Sequence, residues 1–142
     1  MADSAQDNGD GSLVDALART SYAVMAVLSR VAAEHDLSLT QLRVFGILRD
    51  RRVTMSRLAE YLGLEKSTLT GLMARAEKRG LVERAANPDD RRAVDVYLSA
   101  AGLELAETVS GAVARELAAL TAALSAGEQG RLRALLERML EP

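Results

Sequence analysis

Cysteine is absent from this 142-residue chain, which excludes disulfides, thiolate metal sites, cysteine nucleophiles and thiol-based redox sensing. Histidine occurs once, at His35, so a multi-histidine metal centre is excluded as well. Aromatic residues make up only 3% (Tyr22, Phe45, Tyr61 and Tyr97), so the core must be aliphatic. The two prolines, Pro88 and Pro142, leave the rest of the chain free to form long helices. No apolar run approaches the ~20 residues of a membrane span. The acidic start, Met1 to Ser12, is unlike a signal peptide. These absences predict a cytoplasmic, mainly helical protein with no membrane partner. Its 49% hydrophobic content is enough for a sizeable core.

Catalysis finds no support in the residues. His35 stands beside Asp36, but no nucleophile has a defined spacing to the pair. A helix-end histidine, favoured by the C-terminal dipole, is the better reading. The sequence therefore predicts no enzyme, no cofactor and no metal.

Charge is unevenly distributed behind a net value of -2. Residues 66–92 carry seven basic side chains (Lys66, Arg75, Lys78, Arg79, Arg84, Arg91, Arg92) against four acidic ones. The segments on either side are acidic. A local cationic excess matters if it converges on an element that meets nucleic acid.

Residues 1–12 read as a mobile tail, with Ser12 as the cap of a first helix reaching to about Glu34. Leu13, Leu17, Val24, Val27, Leu28 and Val31 recur along it at helical spacing. Ser38 or Thr40 opens a second helix with Leu42, Phe45, Ile47 and Leu48 on its apolar face. Thr54 caps a short third helix that Gly63 stops. A fourth runs from Lys66 to Arg79. Then the period changes to two: Leu81–Arg84 and Ala93–Leu98 read as a hairpin, with Val94, Val96 and Leu98 on the inner face. Ser99 caps a long helix to about Leu124. Ser125 and Glu128 have capping-box spacing for a last helix carrying Leu132, Leu135, Leu136 and Met139.

The segment from Met55 to Leu72 has the spacing of a helix-turn-helix. Ala59 lets two helices approach, Gly63 suits a left-handed turn, and Leu58, Leu62, Leu64, Leu69 and Leu72 supply a shared core. That leaves Lys66, Ser67, Thr68, Thr70 and Gly71 outward at the start of the second helix, small, polar or cationic as a major groove requires. Arg75, about two turns along, is placed either for guanine or for the flanking phosphates. The hairpin tip, Asn87 to Arg92, is the expected wing, with Arg91 and Arg92 aimed at phosphates or a narrow minor groove.

With these residues in place, the chain resembles the MarR-type winged helix-turn-helix transcriptional regulators. The matching stretches are Leu39 to Phe45, Leu58 to Leu64, Lys66 to Thr70, Glu77 to Arg84, and above all Asn87 to Ser99 followed by Ala101 and Gly102. The Asp-x-Arg of the family's wing is reproduced by Asp90 and Arg92. Gly71 departs from the pattern, since many members carry a larger residue there. The resemblance implies a mainly α fold with a winged domain over 36–99, and a dimerisation region formed by 13–35 and 100–142. It implies a homodimer on a double-stranded DNA operator. It also implies a small phenolic or anionic effector between the dimerisation helices and the winged domain, near Arg19, Tyr22, His35 and Arg43. The function expected is a dimeric, sequence-specific repressor of a palindromic operator, released by that effector. The alternatives are a winged-helix protein–protein interaction module and a non-specific DNA-binding protein.

Overall fold

In the computed structural model, which describes residues 7–142, the chain forms six helices and three strands among the described residues. They are α1 (Asp7–Glu34), α2 (Leu39–Leu48), β1 (Val53–Thr54), α3 (Met55–Leu62), α4 (Lys66–Lys78), β2 (Val82–Ala86), β3 (Val94–Leu98), α5 (Ala100–Thr121) and α6 (Ala126–Leu140). The expected tail over 1–12 lies partly outside the described residues. From Asp7 onward the backbone is helical, so Ser12 is inside α1 rather than capping it. Once nucleated, a helix adds one hydrogen bond per residue and runs on past a polar stretch.

Side chains set the other helix starts. Ser38 makes a full capping box: its Oγ accepts from Gln41 N at 3.1 Å, and Gln41 Oε1 accepts from Ser38 N at 2.8 Å. Thr54 caps α3, Ser99 caps α5 and Ser125 caps α6, each accepting from the backbone N–H three residues on. Gly63 ends α3 at φ 65°, where Leu64 N donates to Ala59 O and Gly63 N to Glu60 O. A side chain there would be strained, so the turn of the helix-turn-helix depends on this glycine.

The sheet is antiparallel in the order β1-β3-β2, with Val53 opposite Val96, Val82 opposite Leu98 and Ala86 opposite Val94. Strand β1 is two residues long and was not expected. Strand β2 begins one residue later than predicted and runs two further, to Ala86. Gly102 allows the start of α5 to press on the sheet, since a Cβ there would lie 1.9 Å from Leu81 O. One hydrophobic core unites the winged domain with the inner face of the long helices: Val31, Leu48, Leu58, Leu69, Met73, Val82 and Val96 are all buried.

One face of β3 differs from its apolar alternation. Val94 is exposed, whereas Asp95, on the opposite face, is buried. Val94 pairs with Ala86 at the outer end of the hairpin and keeps 42% of its surface exposed. Asp95 is compensated by two hydrogen-bond donors from elsewhere in the chain.

The terminal helices leave apolar surface uncovered. On α1, Leu13, Val14 and Leu17 are exposed, as are Leu132, Leu135, Leu136, Met139 and Leu140 on α6. Helix α6 buries no residue at all and leaves α5 at an angle of 111°. No single helix among the described residues is long and apolar enough to cross a membrane.

Candidate nucleic-acid interface

Helix α4 separates its two faces cleanly. Leu69, Met73 and Ala76 are buried and Leu72 is half-buried, which anchors the helix. Lys66, Ser67, Thr68, Thr70, Gly71 and Arg75 are all exposed, so the structure places the whole predicted contact set on one outward side. Glu65 precedes the helix without a side-chain cap. The first-turn N–H groups are therefore available to an anionic oxygen, which the helix dipole also favours.

The wing follows directly from α4 through Gly80. Its tip carries Asp90, Arg91 and Arg92, all exposed, with the Arg92 side chain 96% accessible. Asp90 turns inward within the loop: its Oδ1 accepts from Arg92 N at 3.0 Å, while its ion pair to the Arg92 guanidinium is loose at 3.9 Å. Thus Asp90 shapes the tip, and Arg92 is left to face outward. Other cations of the basic segment are engaged elsewhere. Arg84 pairs with Glu77, and Arg79 donates to Asp36 O at 2.9 Å.

Arg52, Asp95 and Tyr97, behind the wing, have a part in it that the sequence reading did not assign. Asp95 accepts from Arg52 Nε at 3.2 Å and from Asn87 Nδ2 at 2.8 Å, and the Arg52 guanidinium lies 4.3 Å from the centre of the Tyr97 ring. Alternation puts Asp95 on the outer face of the strand, where a charge is ordinary, so nothing in the sequence signals its burial.

A separate cavity of about 760 Å³ opens between α1, α2, α3 and α5. Met25, Leu28, Leu42, Phe45, Val109 and Val113 supply its apolar wall, and Arg43, Arg49, Arg51 and Tyr61 its polar groups. Of the four residues expected near an effector, Arg43 lines it and Arg19, Tyr22 and His35 do not. Arg19 pairs with Asp15 at 3.6 Å along α1, Tyr22 is exposed, and His35 Nδ1 meets Val31 O at 3.0 Å where α1 ends. None of the three is among the residues lining the cavity, although Tyr22 is within one turn of Met25 on α1. Arg49 and Arg51 follow the last residue of α2, and the turn into β1 brings them to the cavity. Arg43 donates to Tyr61 O at 2.9 Å, tying α2 to α3 beside the cavity. The Tyr61 phenol is held below its ordinary pKa by its hydrogen bond from Arg57, and by the charge of that guanidinium.

A family model described as "MarR family" matches residues 35–93. The multiple antibiotic resistance protein MarR of Escherichia coli is 30% identical over 116 residues, covering 80% of this chain and 81% of that protein. A match to the uncharacterized HTH-type transcriptional regulator YfiV of Bacillus subtilis is 38% identical but shorter, 65 residues, covering 45% of this chain and 41% of that one. Among solved structures, a mutant MarR from E. coli complexed with operator DNA superposes with a TM-score of 0.74 at 26% identity, covering 97% of this chain and 100% of the other.

Proposed function

This chain belongs to the MarR family of transcriptional regulators, and from that premise we propose that it is a homodimeric repressor that binds a palindromic operator and is released by a small effector. The observation that carries the reading is the division of α4. Its apolar residues are consumed by the core, while a continuous polar and cationic face is left outward, next to a wing tipped with Arg91 and Arg92. The E. coli relative bound to operator DNA supports double-stranded DNA as the partner.

The apolar surface left bare on α1 and α6 supports the homodimer. Exposed leucines so numerous, on two helices that frame the chain, are what a second copy of the same helices covers. Two recognition helices related by a two-fold axis then call for half-sites roughly one helical turn (~10 bp) apart. The cavity supports the effector. Its volume is that of a small-molecule site, and Arg43, Arg49 and Arg51 favour an anionic or phenolic molecule. The ligand assignment accordingly moves from Arg19, Tyr22 and His35 to Arg43 and its neighbours in the cavity. The protein acts in the cytoplasm, without a membrane partner.

A gel shift tests the reading. The full chain is titrated against the DNA upstream of its own gene and against a random duplex of equal length, at two salt concentrations. Tighter binding to the upstream DNA as a dimer is expected. Equal affinity for both duplexes overturns sequence-specific regulation and leaves a non-specific binder. No binding to either leaves a protein–protein module.

A further inference from the structure

Asp95 lies on the face of β3 opposite Val96 and Leu98, where alternation puts a polar residue in solvent, yet it is only 6% exposed. A buried carboxylate survives only where donors compensate it. Both oxygens are used. Oδ2 takes Arg52 Nε at 3.2 Å, and Oδ1 takes Asn87 Nδ2 at 2.8 Å. Arg52 enters from the chain just before β1 and is braced over the Tyr97 ring at 4.3 Å.

The hydrogen bond to Asn87 fixes which way its carboxamide turns. With Nδ2 committed to Asp95, Oδ1 faces the loop, where it accepts from Asp89 N at 2.9 Å and from Asp90 N at 3.0 Å. Asp90 in turn accepts from Arg92 N at 3.0 Å. A continuous route therefore leads from the domain body, through Asp95 and Asn87, to the backbone of Arg92. The strand ladder stops at Ala86 and Val94. Past it, Asn87 N donates to Ala93 O and Ala93 N to Asp90 O, both at 3.0 Å. These close the loop on itself without joining it to the domain.

We propose that Asp95 is the positioning residue of the wing: it orients Asn87, and through Asn87 it holds Arg91 and Arg92 in one arrangement before DNA arrives. The proposal rests on the DNA-binding reading above for its purpose, and on hydrogen bonds alone for its geometry. A tip ordered in advance loses less conformational entropy on binding than one ordered by the DNA.

The first test needs no DNA. Trypsin cleaves after Arg91 and Arg92, and its rate there reports how often the tip opens. In the full-length chain, Asp95→Leu and, independently, Asn87→Ala are expected to speed cleavage at these two bonds about tenfold, with cleavage elsewhere unchanged. Asp95→Asn keeps an acceptor for Asn87 and should fall between wild type and Asp95→Leu. Asn87 is only half-buried, so Asn87→Ala decides the matter if Asp95→Leu does not fold. Unchanged wing cleavage in Asn87→Ala overturns the proposal, whatever the chain does with DNA.

The second test measures operator affinity against salt. Asp95→Leu should weaken binding about tenfold and lower the salt slope by about one to two, as wing phosphate contacts are lost. In a background carrying both Arg91→Ala and Arg92→Ala the same change should add less than about twofold, because Asp95 acts through those two side chains. Full additivity, or a loss with an unchanged slope, overturns the route through Arg92. A wild-type chain that binds no DNA overturns the functional reading, while the trypsin result still decides the positioning.

Discussion

The hydroxyl of Thr70 donates to the carbonyl oxygen of Lys66, one turn earlier on α4, at 2.8 Å. The proton that would have met a base acceptor is thus committed to the helix itself, and Thr70 meets a groove with its methyl group and the remaining lone pairs of its oxygen. Thr70→Ala should therefore cost about 1 kcal/mol on the specific operator, the low end for a base contact, with little change on random DNA. Thr70→Val, which keeps the methyl, should retain most of the affinity. Fluorescence anisotropy on both duplexes measures this, and equal losses on the two would remove Thr70 from sequence discrimination.

Arg92 stands at the wing tip with its side chain 96% accessible. Arg92→Ala should leave the thermal transition in place and weaken DNA binding. Its effect on the salt dependence identifies the contact: a slope reduced by about one, with equal loss on all sequences, marks a phosphate neutralised. A loss that tracks A·T content marks a narrow minor groove instead. Unchanged affinity at two salt concentrations would show that Arg92 touches no DNA.

Gly71 has open space where a Cβ would stand, so packing within the chain does not require it. Glycine inside a helix costs about 1 kcal/mol relative to alanine. Gly71→Ala should raise stability toward denaturant by about that amount. Operator affinity should move the opposite way if, as proposed, this face of α4 meets the bases, because the added methyl takes up space there. Stability and affinity rising together would place Gly71 off the contact surface.

Removal of residues 128–142 takes away Leu132, Leu135, Leu136, Met139 and Leu140, none of which is buried by the rest of the chain. The loss should appear as monomer or aggregate in sedimentation, with operator affinity falling because two half-sites are no longer joined. A truncated chain that sediments as a stable dimer with full affinity would mean that α6 has no part in association.

Glu128 closes the capping box of α6. The backbone N–H of Ser125, and then its hydroxyl, hold the Glu128 carboxyl below its ordinary pKa. A carboxyl lowered in the folded state contributes stability that is present above its unfolded value, and that is lost as pH falls through the folded one. Acidification should therefore loosen the start of α6, seen as faster amide exchange in its first turns. Glu128→Gln should flatten that dependence, and an equal acid response in both proteins would refute the assignment.

Local chemistry was enough to specify most of the helices and the helix-turn-helix. Ser or Thr at the caps of α2, α3, α5 and α6, glycine at Gly63 and Gly80, and leucines at helical spacing act within one or two turns, so they are written in neighbouring residues. The outward residues of α4 were legible for the same reason, since fixing Leu69, Met73 and Ala76 inward leaves the others outside. What only the tertiary structure decided depends on residues far apart in the chain. Two-residue β1 exists because Val53 and Thr54 pair with Val96 and Asp95, some forty residues later. Asp95 is buried on the face opposite Val94 because Arg52 and Asn87 converge on it, and no periodicity encodes a partner as distant as Arg52. The cavity is assembled from four helices, so its arginines could not be told from the solvated ones on α1 until those helices were packed. Capping and periodicity are short-range effects, whereas burial and charge compensation depend on the whole fold.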